Sequence, residues 1–191
     1  MVLLHSWKNH HDHIYTIDYD PSSSTCTGSV NTNLPFVEDD DLQYFGCCNG
    51  LVCVSPYDRD IILIWNPSTN VFKKLPKLPI LDTPVTGPDN QDYDLIDIQY
   101  GFCYNYESGE FKVVCLARYN GDSGDEVKGS DVYLYTSGSN TWITLDSIFY
   151  HVISERNQVP INGVIHWKEY RMYDEVYRRV ILAFDFEKEV F

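Results

Sequence analysis

A chain of 191 residues with 14 Lys and Arg against 28 Asp and Glu carries a formal charge of −14. Such a field repels phosphate backbones and anionic lipid heads, so nucleic acid and membrane are poor partners and a basic protein is the favoured one. At 43% apolar and 15% aromatic residues there is enough material for one good core.

Met1–His13 holds only Val2, Leu3 and Leu4 as an apolar run, which reads neither as a signal peptide nor as a membrane span. The cysteines are Cys26, Cys47, Cys48, Cys53, Cys103 and Cys115. Adjacent Cys47-Cys48 makes a poor disulfide framework, and Pro67 blocks the Asn66-x-Ser68 glycosylation match. Reduced thiols in the cytoplasm, or in the nucleus, fit that usage.

In chain order, Met1–Leu4 and Ile14–Tyr19 read as strands, with His10, His11 and His13 in a solvated loop between them. A zinc site would need a fourth ligand, such as Asp12 or His5, and a rigid frame. Pro21–Asp41 is Ser/Thr/Asn-rich and then acidic, and reads as a surface loop; Glu38–Asp41 lacks calcium-loop spacing. Gly46–Pro76 reads as a three-stranded antiparallel meander. Leu51–Val54, Ile61–Trp65 and Val71–Leu75 are its strands, and Asn49-Gly50 and Asn66-Pro67-Ser68-Thr69 its turns.

Lys77–Asp97 follows as a long connection. Tyr100–Tyr104 and Phe111–Arg118 then form a hairpin, Asn120–Ser130 a polar loop, and Asp131–Thr136 and Thr141–Leu145 two further strands. Ile148–Arg156 is the one place for a short helix or irregular crossing. Ile161–Tyr170 and Arg179–Phe186 close the chain, with Val190-Phe191 opening another strand.

The meander recurs. Ile62–Trp65, six residues, then Phe72–Leu75 aligns without a gap on Val132–Tyr135, six residues, then Trp142–Leu145, and Ile181–Phe184 with Phe191 aligns equally. Asn162-Gly163 stands to the last copy as Asn49-Gly50 stands to the first. All-β repeats at this spacing indicate a β-propeller, each copy being most of one blade. The fold class expected is all-β, a partial propeller of antiparallel meander blades.

No nucleophile elbow, phosphate loop, paired-His metal motif or dinucleotide fingerprint is present. His166 and Cys53 occupy equivalent repeat positions, which sit apart in different blades and so argue against a Cys–His nucleophile pair. Trp65, Trp142 and Trp167 read as blade packing rather than as a sugar platform. No enzymatic activity, cofactor or metal is expected.

Gly46–Cys53, Ile64–Thr69 with Leu75-Pro76, Tyr100-Gly101-Phe102-x-Tyr104 with Phe111–Val114, Asp131–Tyr133 with Trp142, and Asn162-Gly163-x-x-His166-Trp167 with Ile181–Asp185 follow one another in order. Together they resemble the kelch-like, F-box-associated domain of plant F-box proteins, including the S-locus F-box group. Cys103 stands where Gly is common, and Asn105 where Asp is common. The resemblance covers residues 42–191, cut short at the C-terminus, with 1–41 as strands and a polar loop belonging to the first blade. It implies the substrate-recognition part of an adaptor for an SCF-type ubiquitin ligase. The F-box itself, which recruits the ligase subunits, is not in this sequence. The client would be a protein, basic and S-RNase-like in the form that suits the charge. A kelch-type scaffold without a ligase role is the alternative, and a propeller lectin or enzyme a third.

Three segments fall between the first and second conserved strands of their repeats: Pro56–Asp60, Tyr119–Ser130 and Lys168–Arg178. In a propeller they emerge on one face. Their Tyr57, Asp58, Arg59, Tyr119, Asp122, Tyr170, Arg171 and Tyr173 are the expected protein-binding residues, since Tyr and Arg dominate interface hot spots and loops on a rigid scaffold carry function.

Overall fold

The computed structural model describes residues 2–8, 11–31, 42–56, 61–82, 85–86, 92–120, 127–148, 160–173 and 176–191. Among them there is no α-helix, and antiparallel strands lie in four separate sheets. The architecture is all-β and meander-built, as in a partial β-propeller. Two units divide the chain by their internal contacts. One comprises Met1–Phe45 and Asn49–Leu75, the other Gly46–Cys48 and Pro76–Phe191.

In the first unit, β1 (Val2–Lys8), β2 (His11–Asp20) and β3 (Thr25–Asn31) form one sheet in chain order. The loops expected there are therefore shorter. His11 and His13 belong to β2, where they pair with Lys8 and Ser6, and His10 lies outside the described residues. The polar stretch after Pro21 becomes β3 because the Asp20 turn folds it back onto β2. As the edge strand of its sheet it tolerates a Ser/Thr-rich sequence.

A second sheet runs β4 (Leu42–Cys48), β5 (Leu51–Pro56), β6 (Leu63–Asn66), β7 (Val71–Lys74), all of it in this unit except Gly46–Cys48 of β4. Its core is Leu42, Val52, Val54, Leu63 and Trp65. Edge strand β7 is exposed throughout and carries Lys73 and Lys74, charges that discourage edge-to-edge pairing.

In the second unit, β8 (Val85–Thr86), β9 (Asp92–Asn105), β10 (Glu110–Asn120), β11 (Val127–Thr136) and β12 (Thr141–Ile148) form one sheet in chain order. β13 (Val164–Tyr173) and β14 (Val176–Asp185) form a hairpin. The expected Lys77–Asp97 connection is shorter than the sequence suggests, since Pro79–Asp82 is a 3-10 turn and β9 begins at Asp92. The Ile148–Arg156 crossing lies almost wholly outside the described residues.

One face of the five-stranded sheet contributes Cys103, Val114, Leu116, Val132 and Leu134 to a core shared with Ile165, Trp167, Leu182, Phe184 and Phe186. Gly101 permits the close approach. A Cβ there would stand 2.6 Å from Ile165 Cδ1 and 3.1 Å from Trp167 Cζ2. Lys112, 5% exposed, bonds through Nζ to the Phe186 carbonyl at 2.9 Å and to Glu189 Oε1 at 2.7 Å, so its buried charge is paired.

One turn recurs along the whole chain. Asp20, Asn66, Asn105, Thr136 and Asp185 each end a strand, and four residues later Ser24, Asn70, Gly109, Asn140 and Glu189 adopt positive φ between 53° and 71°. The side chain at the first position satisfies the turn backbone. Asn66, Asn105 and Asp185 each accept two N–H groups through Oδ1, and Asp20 accepts that of Ser22. At Thr136 the hydroxyl bonds that of Ser139 instead, at 2.7 Å.

Aromatic pairs bracket four of these turns. Trp65↔Phe72, Tyr104↔Phe111 and Tyr135↔Trp142 are cross-strand partners, and the rings of Phe184 and Phe191 lie 5.0 Å apart. Trp65 Nε1 and the Tyr135 hydroxyl each also donate to the Asn Oδ1 that closes the turn, Asn70 and Asn140, at 3.2 and 3.0 Å. Asn49-Gly50 and Asn162-Gly163 repeat a second device. φ is 50° and 76° in the first and 51° and 76° in the second, the two positive values a type I′ turn requires.

Candidate protein-binding surface

Each meander strand that ends at an aromatic turn begins at a connection of another kind. β6 runs from residues 57–60 to the Asn66 turn, β11 from 121–126 to the Thr136 turn, and β14 from 174–175 to the Asp185 turn. The three connections therefore hold the same place in their sheets, at the end opposite the aromatic turns.

Tyr57, Asp58, Arg59 and Asp122 lie outside the described residues. Tyr170, Arg171 and Tyr173 do not lie on a loop. They continue β13, where Tyr170 pairs with Arg179, Arg171 with Arg178 and Tyr173 with Val176. The tyrosines of this stretch suit a pleated strand, a propensity that the loop reading underweighted.

Tyr119 is also a strand residue rather than a loop residue, and at 5% exposed it is not a surface contact. Alternation places it on the face of β10 that carries Cys115, whose register partners are Tyr100 and Tyr133. Its phenol is pushed well above the usual range, first by burial and then by the neighbouring Tyr133 and Asp131. Burial, then Asp131, raises Tyr133 as well. Asp131 accepts the Ser147 hydroxyl at 2.6 Å. Tyr119 and Tyr133 thus lie side by side next to the Asp131–Ser147 hydrogen bond.

Pairing of β10 with both of its neighbours shifts just here, at Arg118–Asn120, and β11 shifts against β12 at Ser130–Val132. Such bulges end regular pairing and re-aim side chains at a sheet rim. Arg118, half-buried at the bulge, has its Nε buried without a hydrogen-bond partner among the described residues. The sequence reading missed it. Its position three residues before the Gly- and Asp-rich 121–126 connection was the available signal.

The other chemistry-bearing residues behave as packing. Cys53 is fully buried and burial pushes its thiol far above the ordinary range, the reverse of what a nucleophile needs. His166 is exposed on β13. Trp65 and Trp167 are buried to 1%, and Trp142 donates Nε1–H to the Pro76 carbonyl at 2.8 Å. Among the described residues no group of three or more His, Cys, Asp or Glu could hold a metal ion, and no helix is long and apolar enough to cross a membrane.

A family model for the F-box associated beta propeller domain matches residues 2–191. The chain belongs to that family. Its F-box associated domain is similar to F-box protein CPR1 of Arabidopsis thaliana, 27% identical over 192 residues, covering 93% of this chain and 44% of that protein. It is similar also to F-box protein At5g49610 of Arabidopsis thaliana, 32% identical over 161 residues, covering 78% of this chain and 42% of that protein. The domain thus spans less than half the length of either relative. The match takes in β1–β3 as well as the meanders, so the family's pattern extends across both units.

Proposed function

We propose that this F-box associated domain is the client-recognition part of an SCF-type ubiquitin-ligase adaptor, holding the protein to be ubiquitinated and performing no chemistry itself. The family match across residues 2–191 carries the reading. Both relatives are named as F-box proteins, which supports the ligase connection. The contact residues on this reading are Tyr57, Asp58 and Arg59 in the first unit and Asp122, Tyr170, Arg171 and Tyr173 in the second, while buried Tyr119 is a packing residue. The −14 charge favours a basic client, because complementary fields raise the encounter rate and reject acidic competitors.

Affinity purification of the endogenous protein from its native tissue, alongside residues 1–191, followed by mass spectrometry, tests this. Recovery of cullin-ligase subunits with the endogenous protein, and of one client with both baits, is the expected result. A client without ligase subunits in either purification contradicts the adaptor role.

A further inference from the structure

The second unit contains a cluster of nucleophilic and charged groups that client recognition does not use. Cys48, the last residue of β4, packs half-buried against the core that contains Cys103 of β9, itself 2% exposed. The Tyr104 backbone N–H donates to Cys48 Sγ at 3.2 Å, and the Cys103 thiol donates to the Tyr104 carbonyl at 3.5 Å, so both sulfurs lie against the Tyr104 backbone. Both cysteines are reduced. Lys112 is the cross-strand partner of Cys103, with its ammonium held in place by Phe186 and Glu189. Adjacent Cys47 is exposed instead, because alternation along β4 turns it to the opposite face.

We propose that Cys48 and Cys103 form a site of oxidative modification that closes to an intramolecular disulfide on reaction with a hydroperoxide. The Cys48 thiolate attacks a peroxide oxygen, the O–O bond breaks, and the departing hydroxide takes a proton to become water. Cys48 is left as a sulfenic acid. The Cys103 sulfur, losing its proton, then attacks the Cys48 sulfur, the S–O bond breaks, and the second hydroxide leaves as water. Two thiols are oxidised by two electrons in all, and one hydroperoxide is reduced; with hydrogen peroxide both products are water.

The geometry divides the roles. The Tyr104 N–H, donated to Cys48 Sγ, favours a negative sulfur there. The Cys103 thiol is held well above its ordinary range, first by the neighbouring Cys48 and then by burial, with the Lys112 ammonium pulling the other way. Cys48 is also the less buried of the two, so it is the sulfur the peroxide reaches first. Packing of Cys48 against the core that holds Cys103, with the Tyr104 N–H on its sulfur, brings the two thiols to one place, as exchange requires.

The site stands independently of the ligase reading, and its test needs no client. Purified residues 1–191 are treated with hydrogen peroxide and then alkylated under denaturing conditions. The expected result is the loss of two titratable thiols, with non-reduced peptide mapping showing residue 48 joined to residue 103, and full reversal by dithiothreitol. The thermal midpoint should rise on oxidation, since the bond restricts the unfolded chain. Cys47→Ser should leave the link intact, and Cys48→Ser should abolish it; Cys103→Ala should do the same and stall Cys48 as a dimedone-reactive sulfenic acid. A link through Cys47, or conversion of Cys48 to sulfinic acid while Cys103 stays a thiol, overturns the proposal.

Discussion

The two ends of the meander strands are built by different rules. At one end the same turn occurs after Tyr19, Trp65, Tyr104, Tyr135 and Phe184, with a polar residue at its first position, whose side chain caps the backbone in all but the Thr136 turn, and a left-handed residue four positions later. At the other, the connections at 57–60, 121–126 and 174–175 share neither length nor composition. Repetition marks the end whose chemistry is spent on folding. Variation at matched positions is what the proposed recognition end would show, as loops carried by a rigid scaffold do.

Removing an aromatic from the turn end should cost most. Trp65→Ala empties the largest member of the first unit's core and is expected to destabilise by about 3–5 kcal/mol in equilibrium denaturation. A loss below about 1 kcal/mol would mean that the aromatic turn is decoration. Gly101→Ala pushes a methyl into Ile165 and Trp167 and should cost about 1–3 kcal/mol, with far-UV circular dichroism unchanged. Asn49→Ala should cost about 1 kcal/mol and Asn49→Gly almost nothing, because φ is 50° there and glycine adopts it freely. Equal costs for the two would show that the side chain, not the backbone angle, is what matters.

Alkaline pH probes the buried thiols of both units. Burial raises Cys53 in the first and Cys115 in the second, the latter partly offset by a hydrogen bond from Tyr100. Above the ordinary thiol value of 9.0 the unfolded state releases these protons while the folded state keeps them. The unfolded state then binds fewer protons, and stability falls as pH rises, by at most about 1.4 kcal/mol per pH unit for each thiol. Below that value neither thiol changes stability. Urea midpoints measured from pH 7 to 10.5 should therefore be flat and then decline, and Cys53→Ala should soften the decline.

The smallest stability effects belong to the other end. Arg171→Ala and Tyr173→Ala should each leave stability within about 0.5 kcal/mol while reducing client capture.

The meanders were legible because short β-branched and aromatic runs alternate with Asn-Gly and Asn-Pro turns, and because Trp65, Tyr135 and Phe184 recur with a fixed interval to Phe72, Trp142 and Phe191. Two further copies escaped notice, Tyr104 to Phe111 and Tyr19 to Cys26; in the latter Cys26 stands where the other return segments carry Phe72, Phe111, Trp142 and Phe191. Strand ends were harder. Tyr170–Tyr173 and Tyr119 read as loop from their polarity, yet backbone pairing carries β10, β13 and β14 beyond the point where apolar alternation fades. The burial of Tyr119 was not legible, because it depends on Tyr133 and Asp131 of a neighbouring strand. Cys48 and Cys103, distant in sequence, meet only through tertiary packing.

The measurement that bears most directly on this division of labour is quantitative client capture by two variants of equal thermal stability. One is Tyr170→Ala/Arg171→Ala at the variable end. The other is Tyr106→Ala in the Asn105 turn, which removes a 77%-exposed aromatic from the repeated end. Loss of the client by at least about ten-fold in the first variant alone, a difference of about 1.4 kcal/mol, is the predicted result. Loss in the Tyr106 variant with capture intact in the other would place recognition on the aromatic turns and contradict the account.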